Sequence, residues 1–298
     1  MIVSRSARSF AIPAAVVAGL CLFAGPRSAL AKNQQSPSSR ASASLKAAPR
    51  QAEEDVSATF QLNPRVDLRF FTWKEFGTND RELLTESGPL FAFGVDPRVS
   101  FGRGKRFFVE AGTRLYLGKV DYDGAMMNGI PYKSKTGYFG LELLPTAGYV
   151  FSLGRHLQLS PTAGVGFEYW NRDIDDGGRN GYDEKYTVYR IHSGLRGTYL
   201  LNRDIRFYST LQLKVPVSIS ESVRLGARGQ GRPLDVSLSP GISPAIVVEG
   251  GSTIHGVDVA LYYETWTLAR SNEDKGFHQP ESTRKIFGIR VGHSFGLN

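Results

Sequence analysis

The segment Gly292-His293-Ser294-Phe295-Gly296 has the G-x-S-x-G spacing that presents a serine nucleophile on a sharp turn. Such a turn joins a strand to a helix, and too few residues follow Gly296 to build that helix. We therefore expect Ser294 to belong to a closing strand rather than to a hydrolytic site.

Paired carboxylates beside a histidine could also activate a water molecule for hydrolysis. Asp121 and Asp123 form such a pair near the end of a predicted strand. His278 is the nearest histidine in a comparable loop, but no Asp-x-His sequence accompanies it, and His192 lies in the middle of a strand. The sequence therefore predicts no catalytic residue. A hydrolase site formed by the strand ends and loops around Asp121 and Asp123 is kept as an alternative.

The segment 171–184 (NRDIDDGGRNGYDE) concentrates carboxylates, among them Asp173, Asp175 and Asp176. Oxygen-rich loops can bind calcium, but Asp176 stands where the EF-hand order requires glycine. We therefore expect no cofactor and no metal, with these three aspartates as the weak metal candidates. The alternative is a solvated acidic loop that cations bridge to lipopolysaccharide.

Apolar and polar side chains alternate in the segments that carry these charges. Because successive side chains of a strand point to opposite faces, each segment has one apolar and one polar face. Ten segments show the pattern, at about residues 65–76, 88–101, 106–117, 136–151, 157–170, 185–201, 205–217, 234–249, 254–269 and 283–295. Each supplies the roughly 9–11 residues of a tilted membrane strand. We predict an all-β fold, an antiparallel transmembrane β-barrel of about 10 strands, within a range of about 8–12.

The connections alternate between short and long. Four tight turns are predicted, at Gly102–Lys105, Leu153–His156, Asn202–Asp204 and Gly250–Thr253. Long polar loops are predicted at residues 77–87, 118–135, 171–184, 218–233 and 270–282. Short periplasmic turns and longer extracellular loops are typical of bacterial barrels. This arrangement predicts that both the N- and C-termini are periplasmic.

The polar faces of the strands should fill the barrel interior with charge. By parity the inward ionisable residues are Asp67, Arg69, Asp96, Arg98, Glu110, Arg114, Glu142, Glu168, Arg190, His192, Arg196, Arg206, Lys214, Asp258, Glu264 and Arg290. Without the histidine they are almost evenly balanced in sign. Because an unpaired buried charge is expensive, we predict a salt-bridged lumen, with a conducting lumen as the alternative.

Aromatic residues cluster at the loop-side ends of the strands. Trp73, Trp170, Trp266, Tyr189 and Tyr263 lie at similar heights in the predicted barrel. Amphipathic rings favour the membrane–water interface, so these residues are interpreted as an interface girdle. Strand parity directs the tryptophans toward the lumen, however, so they either reach the interface through a bulge or cap the lumen mouth.

The N-terminal region has the order of an export signal. Basic Arg5 and Arg8, an apolar run from Phe10 to Ala24 and the tripeptide Ala29-Leu30-Ala31 predict a signal peptide over residues 1–31. Residues 32–58 are rich in Ser, Ala and Gln and are predicted to be a disordered periplasmic tail. Residues 59–298 then form the barrel.

Charge and cysteine content restrict the possible partners. Loss of the signal removes three arginines and no acid, which lowers the formal charge from +8 to +5, and it removes the only cysteine. The remaining basic residues are dispersed, so no nucleic-acid partner is expected. The expected partners are outer-membrane lipid, lipopolysaccharide and, during biogenesis, the barrel-assembly machinery. We expect a monomer.

The last predicted strand ends near the C-terminus on Phe295, which resembles the terminal signal of outer-membrane barrel proteins. Over residues 59–298 the architecture resembles the small barrels of the OmpA-type and omptin-type classes, and ten is the omptin strand number. This resemblance concerns architecture and not a residue motif. It implies that the protein resides in the bacterial outer membrane.

Three functions are compatible with such a barrel. The first is a structural or surface-interaction role with a salt-bridged lumen. The second is a narrow porin-like channel for small polar solutes, and the third is an omptin-like or lipid-modifying hydrolase at the rim. A soluble periplasmic barrel is a further possibility, which the wide apolar outward faces disfavour.

Overall fold

The structure, a computed structural model, describes residues 58–125, 130–174, 181–225 and 234–297. The predicted signal peptide and all but the last residue of the predicted tail lie outside these ranges. None of the helical segments within the ranges is long and apolar enough to cross a membrane.

The described residues form strands almost throughout. Their bounds are β1 (Thr59–Phe76), β2 (Glu82–Phe101), β3 (Phe107–Ala125), β4 (Pro131–Tyr149), β5 (Phe151–Leu153), β6 (Leu157–Ile174), β7 (Tyr182–Leu200), β8 (Ile205–Leu225), β9 (Leu234–Leu238), β10 (Ala245–Ile254), β11 (Val257–Leu268), β12 (Glu281–His293) and β13 (Phe295–Leu297). Two single-turn 3₁₀ segments, Thr78–Asp80 and Arg103–Lys105, lie in connections between strands.

The strands close into one antiparallel barrel. Each long strand pairs with its neighbours in chain order, β12 pairs with β1, and β10 pairs with both β8 and β11. With β9 and β10 taken as one interrupted strand, and β5 and β13 as continuations of β4 and β12, the barrel has ten strands. The predicted ten-stranded antiparallel barrel is confirmed.

The two ends of the barrel differ in the length of their connections. The turns between β2 and β3, β5 and β6, β7 and β8, and β10 and β11 lie at one end, which we call the tight-turn end. The connections at the other, long-loop end are shorter than predicted, because the strands continue into residues that the sequence indicated as loop. For example, β3 continues to Ala125 and β4 begins at Pro131, so both strands include residues of the predicted loop 118–135.

One predicted turn is wrong. Gly250–Thr253 lies inside β10, and the chain reverses at His255 and Gly256, whose φ angles are 49° and 83°. A two-residue hairpin turn of type I′ requires positive φ at both central positions. The glycine pair Gly250-Gly251 imitated a turn signal but adopts extended backbone.

Two irregularities change which side chains face the lumen. A β-bulge lies where Tyr189 pairs with Ser218 but Arg190 pairs with Pro216, so Val217 is an extra residue in β8. Proline cannot donate to the ladder and is confined to bulges and edges, which explains the position of the bulge. Beyond it, the odd-numbered residues of β8 face inward. The break at residues 239–244, with Pro240 and Pro244, separates β9 from β10 and shifts parity again.

The outer surface divides into two zones. A continuous band of outward apolar side chains, the apolar belt, surrounds the barrel, and its members such as Phe91, Leu211 and Val291 are 56%, 52% and 43% exposed. On the long-loop side the outward residues become polar, as in Lys119 and Ser222, and we call this zone the collar. An apolar band of this extent is stable in lipid and not in water. The membrane-spanning segments are therefore those of the belt, and the collar projects beyond them.

Candidate functional site

Six charged side chains of alternating sign form a closed ring inside the barrel. We call it the charge ring, and its members in order are Glu142, Arg190, Glu168, Arg284, Glu264 and Lys214. All six are buried, with exposures of 1–3%. Each member therefore contacts two neighbours of opposite charge, which is the geometry that offsets the desolvation of buried ions.

The strands bring like charges together and the cations separate them. Glu142 on β4 and Glu168 on β6 are direct partners in the antiparallel register. Arg190 on β7 bridges them, with Nη2 2.6 Å from Glu142 Oε1 and Nη1 3.0 Å from Glu168 Oε2. Without this bridge, two directly opposed carboxylates would destabilise the pairing of β4 and β6.

Contacts in the ring span the lumen from wall to wall. Arg284 on β12 contacts Glu168 on β6 at 2.8 Å, and these strands lie five positions apart in the ten-stranded order. Lys214 on β8 contacts Glu142 on β4 at 3.1 Å and Glu264 on β11 at 2.8 Å. The ring therefore occupies the cross-section of the barrel at this level.

A chain of further ion pairs leads from the ring toward the tight-turn end. Arg114 contacts Glu142 at 2.6 Å and Asp67 at 3.0 Å. Arg290 contacts the other oxygen of Asp67 at 2.9 Å and Glu249 at 2.7 Å. The lumen is thus filled by charge pairs over more than one level.

Aromatic side chains form the next level toward the long-loop end. Trp73, Trp170, Trp266 and Tyr186 are at most 2% exposed and make up what we call the aromatic layer. Trp170 stacks on Tyr186 with ring centroids 4.6 Å apart, and Trp73 on β1 approaches Tyr186 on the opposite strand β7 at 6.0 Å. The guanidinium of Arg284 lies 4.9 Å from the Trp266 ring, which joins this layer to the charge ring.

The interpretation of the tryptophans as an interface girdle is therefore wrong. All three follow strand parity into the lumen, where Trp73 donates its indole N–H to Glu75 at 2.8 Å. No bulge turns them toward the lipid. Tyr189 and Tyr263, in contrast, lie on the outward face at the edge of the apolar belt, 51% and 42% exposed.

Inside the collar, four glutamates surround one arginine. Arg172 contacts Glu75 and Glu86 at 3.1 Å each and also contacts Glu184, and Glu221 completes what we call the collar cluster. All five side chains are buried. Neither carboxylate oxygen of Glu221 has a hydrogen-bond partner among the described residues. The cluster therefore contains more carboxylates than its one cation can neutralise.

The excess of carboxylates changes their proton affinity. Burial raises the pKa of Glu184 to about 7, although Arg172 acts in the opposite direction. Burial, together with the charges of Glu184 and Glu75, raises the pKa of Glu221 well above its ordinary value. The collar cluster therefore holds protons at pH values where exposed glutamates have lost them.

A polar cavity of about 270 Å³ lies at the tight-turn end of the lumen. Its lining includes the predicted residues Asp96, Arg98, Glu110, Arg196, Arg206 and Asp258. Asp96 is paired with Arg65, and Asp258 accepts hydrogen bonds from Tyr208 at 2.8 Å and Thr253 at 2.9 Å. Glu110 is 3.8 Å from Arg98.

Two of the predicted interior residues have other surroundings. Arg69 is 2% exposed and has no ion pair among the described residues, and its guanidinium lies 4.5 Å from the ring of Tyr116. His192 is buried and pairs with Lys214 across strands β7 and β8. Its Nε2 atom lies 3.0 Å from the hydroxyl oxygen of Thr146.

Sequence reasoning missed several interior charges for identifiable reasons. The alternation in their strands already places Arg284 and Glu75 on the inward face, although they were not among the predicted interior residues. Glu86, Arg172 and Glu184 lie on strand extensions that the sequence indicated as loop. Glu249 and Glu221 follow the break and the bulge, which reverse the parity that the sequence suggests.

The candidate hydrolytic residues are not assembled into a site. Asp121 and Asp123 lie on the outward face of the collar, 2.6 Å from Lys135 and 2.9 Å from Lys133 across the strand pair. Among the residues described, no group of three or more His, Cys, Asp or Glu could hold a metal ion. Asp173 ends up near the end of β6, and Asp175 and Asp176 lie outside the described ranges.

No protein-family model matches the sequence, and no curated protein matches it. Among solved structures, the outer membrane protease OmpT of Escherichia coli is 11% identical, with a TM-score of 0.51 over 81% of this chain and 99% of that chain. The toluene transporter TbuX of Ralstonia pickettii is 10% identical, with a TM-score of 0.43 over 80% and 90% of the two chains. Ail, the attachment invasion locus protein of Yersinia pestis, is 10% identical, with a TM-score of 0.32 over 79% and 99%. The similarity to OmpT concerns the fold alone: the chain has the fold of an outer-membrane β-barrel.

Proposed function

We propose that the protein is an integral outer-membrane barrel with a closed lumen, which acts through structural support or through contacts made at its long-loop end. The observation that carries the proposal is the charge ring. Its contacts run between opposite walls, and the aromatic layer covers it on one side. A lumen crossed by buried ion pairs has no room for a hydrated ion, because a passing ion would have to break pairs that are costly to separate.

The collar supports a role at the cell surface. Outward-facing Lys119, Lys185 and Lys285 lie just above the apolar belt on three separate strands, and none has an ion pair among the described residues. If the long loops face outward, as in bacterial barrels, these lysines lie at the height of lipopolysaccharide phosphates. Lysine ammonium groups bind phosphate well as point charges.

Single-channel recording in planar bilayers tests the closed lumen. We expect no steady current from the wild-type protein, and steady openings from a triple variant Trp170→Ala, Trp266→Ala, Arg284→Ala, which removes contacts from both crossing layers. Lys185→Ala, on the outer face, is the control and should stay silent. Steady wild-type conductance would replace the closed barrel with the narrow channel.

The contact with lipopolysaccharide is tested separately, by the thermal unfolding midpoint in detergent with and without added lipopolysaccharide. We expect the lipid to raise the midpoint of the wild type and to raise it less in a triple variant Lys119→Gln, Lys185→Gln, Lys285→Gln. Equal shifts in both proteins would exclude these lysines as the contact.

The described residues favour this role over a hydrolase at the rim. Asp121 and Asp123 are each neutralised by a lysine and face away from the lumen, so they do not form the carboxylate–histidine couple that water activation needs. Their alanine variants provide the test, because a hydrolytic activity that these substitutions abolish would favour the hydrolase.

A further inference from the structure

The arginines that line the tight-turn cavity differ in whether their guanidinium groups have hydrogen-bond partners. Arg290 is paired with Asp67 and Glu249, and Arg65 is paired with Asp96. Arg98 and Arg206 differ, because neither donates a hydrogen bond to any described residue. The nearest carboxylate to Arg98 is that of Glu110, at 3.8 Å, which is beyond hydrogen-bond distance.

Three guanidinium groups converge on this cavity from opposite walls. Arg98 lies on β2, whereas Arg196 and Arg206 lie on β7 and β8, and all three line the cavity. All three guanidinium groups are positively charged, so they repel one another across the shared cavity. Arg196 is 3.5 Å from Glu249, whereas Arg98 and Arg206 have no carboxylate within hydrogen-bond distance among the described residues, so an anion between them would be stabilised.

Aromatic rings hold two of these groups in fixed planes. The guanidinium carbon of Arg98 is 3.7 Å from the centre of the Phe108 ring, and that of Arg196 is 4.8 Å from the Tyr208 ring. Stacking occupies the faces of a guanidinium and leaves its N–H edges free to donate. An oriented guanidinium edge matches the geometry of a carboxylate or a phosphate.

Three of the four carboxylates that line the cavity are already engaged, and Glu110 is the exception. Glu249 is shared by Arg290 and Arg196, Asp96 is paired with Arg65, and Asp258 accepts two hydroxyl hydrogen bonds. The guanidinium N–H groups of Arg98 and Arg206 outnumber the one free carboxylate, so the cavity favours a ligand that accepts hydrogen bonds. The barrel wall encloses the cavity, so a lipid headgroup on the outer surface does not reach it.

We propose that this cavity is a binding site for a small soluble oxyanion, a phosphate or a carboxylate, held between Arg98 on one wall and Arg196 and Arg206 on the other. The volume of about 270 Å³ is slightly below the roughly 300–1,000 Å³ of sites for drug-sized molecules. The occupant is therefore a compact anion that consists of one or two charged groups and few other atoms. Glu110 lies beside the site and opposes binding by its charge.

Calorimetric titration of the intact protein in detergent tests the site, with inorganic phosphate and succinate as probes against chloride at constant ionic strength. We expect saturable one-site binding of at least one probe, and the tighter probe identifies the head group. Arg98→Gln and Arg206→Gln should each weaken binding about tenfold or more, because each removes charge-assisted hydrogen bonds.

Two further variants separate binding from folding. Glu110→Gln should strengthen binding, since it removes the opposing charge, whereas a residue needed only for structure would weaken binding or leave it unchanged when substituted. Arg224→Gln in the exposed collar is the matched control and should bind like the wild type. The proposal is overturned if neither probe saturates, or if Glu110→Gln and Arg98→Gln change the affinity in the same direction.

Discussion

Glu142 accepts contacts from three cations, Arg114, Arg190 and Lys214, at 2.6, 2.6 and 3.1 Å. It belongs to the charge ring and also begins the chain of ion pairs that leads to the tight-turn end. A residue in this position stabilises the fold mainly because it neutralises cations that would otherwise be buried without a partner. Without its charge, three buried cations would lose a partner at once, and removing one member of a buried pair is expensive.

We predict that Glu142→Gln lowers the free energy of unfolding by about 3–5 kcal/mol, the usual cost of breaking a buried ion pair. Glutamine keeps the side-chain volume, so the loss is electrostatic. Urea titration in lipid or detergent, followed by the gel mobility of unboiled protein, measures it. Glu281→Gln, at an exposed position, is the control and should be neutral. Equal stability of Glu142→Gln and wild type would show that the ring does not hold the barrel together.

The collar cluster predicts a pH dependence with a defined sign. The folded-state pKa of Glu184 is about 7 and that of Glu221 is also raised, so the folded protein binds protons that the unfolded chain releases near its ordinary pKa of 4.5. Their contribution to stability is present below about pH 4.5 and is lost as pH rises through about 7. The groups facing them are Arg172, Glu75, Glu86 and the hydroxyl of Tyr186, which donates a hydrogen bond to Glu184 at 3.1 Å.

We therefore expect Glu221→Gln to match the wild type in thermal midpoint near pH 5 and to exceed it near pH 8. The amide imitates the protonated acid and removes the cost of ionising a fourth glutamate beside a single arginine. Melting curves of both proteins at the two pH values provide the measurement. A difference that does not change with pH would contradict a protonated Glu221.

At the scale of the strands, local irregularities decide where side chains point. The bulge at Val217 turns Glu221 inward, and the break at residues 239–244 does the same for Glu249. Since side chains alternate with a period of two, one extra residue moves every later side chain to the other face. Glu221 in the collar cluster and Glu249 in the lining of the tight-turn cavity face inward because of these two sites.

The turn between β10 and β11 yields a test at this scale. Gly256 has φ of 83°, and an alanine there is strained by about 1–2 kcal/mol. Gly250 has extended backbone, and an added Cβ meets only Tyr208 O at 3.9 Å. We expect Gly256→Ala to lower the urea midpoint and Gly250→Ala to leave it nearly unchanged. The reverse order would mean that the turn lies at Gly250–Thr253.

On the scale of the whole molecule, belt and collar divide one continuous barrel into a part solvated by lipid and a part solvated by water. The strands are longer than the roughly 9–11 residues that crossing requires, and the excess forms the collar. Inside, the charge ring lies within the belt region and the collar cluster beyond it. The barrel therefore carries buried charge both where lipid surrounds it and where water does.

An arginine scan of the outer face locates the boundary. We predict that Leu211→Arg, in the belt, costs about 2–4 kcal/mol of folding free energy in bilayers, because it places a cation against hydrocarbon. Ser222→Arg, on the same strand in the collar, should cost about 0–1 kcal/mol. Folding titrations in vesicles measure both values. Equal costs would mean that the belt does not contact lipid.

The sequence alone determined the barrel, the approximate number of its strands and most of its inward charges. Period-two alternation is a local property, so residues such as Glu142, Arg190 and Lys214 could be assigned to the interior from their own strands. The near balance of inward charges also predicted that they would have to pair, for reasons of desolvation alone.

Only the tertiary structure decided which charges meet. Arg284 and Glu168 are 116 residues apart and come together because β12 closes against β1 and the lumen is narrow enough to be bridged. Contacts across the lumen depend on how ten strand registers close at once, which no single segment encodes. The partners in the charge ring, the excess acids of the collar cluster and the free arginines of the cavity all follow from that closure.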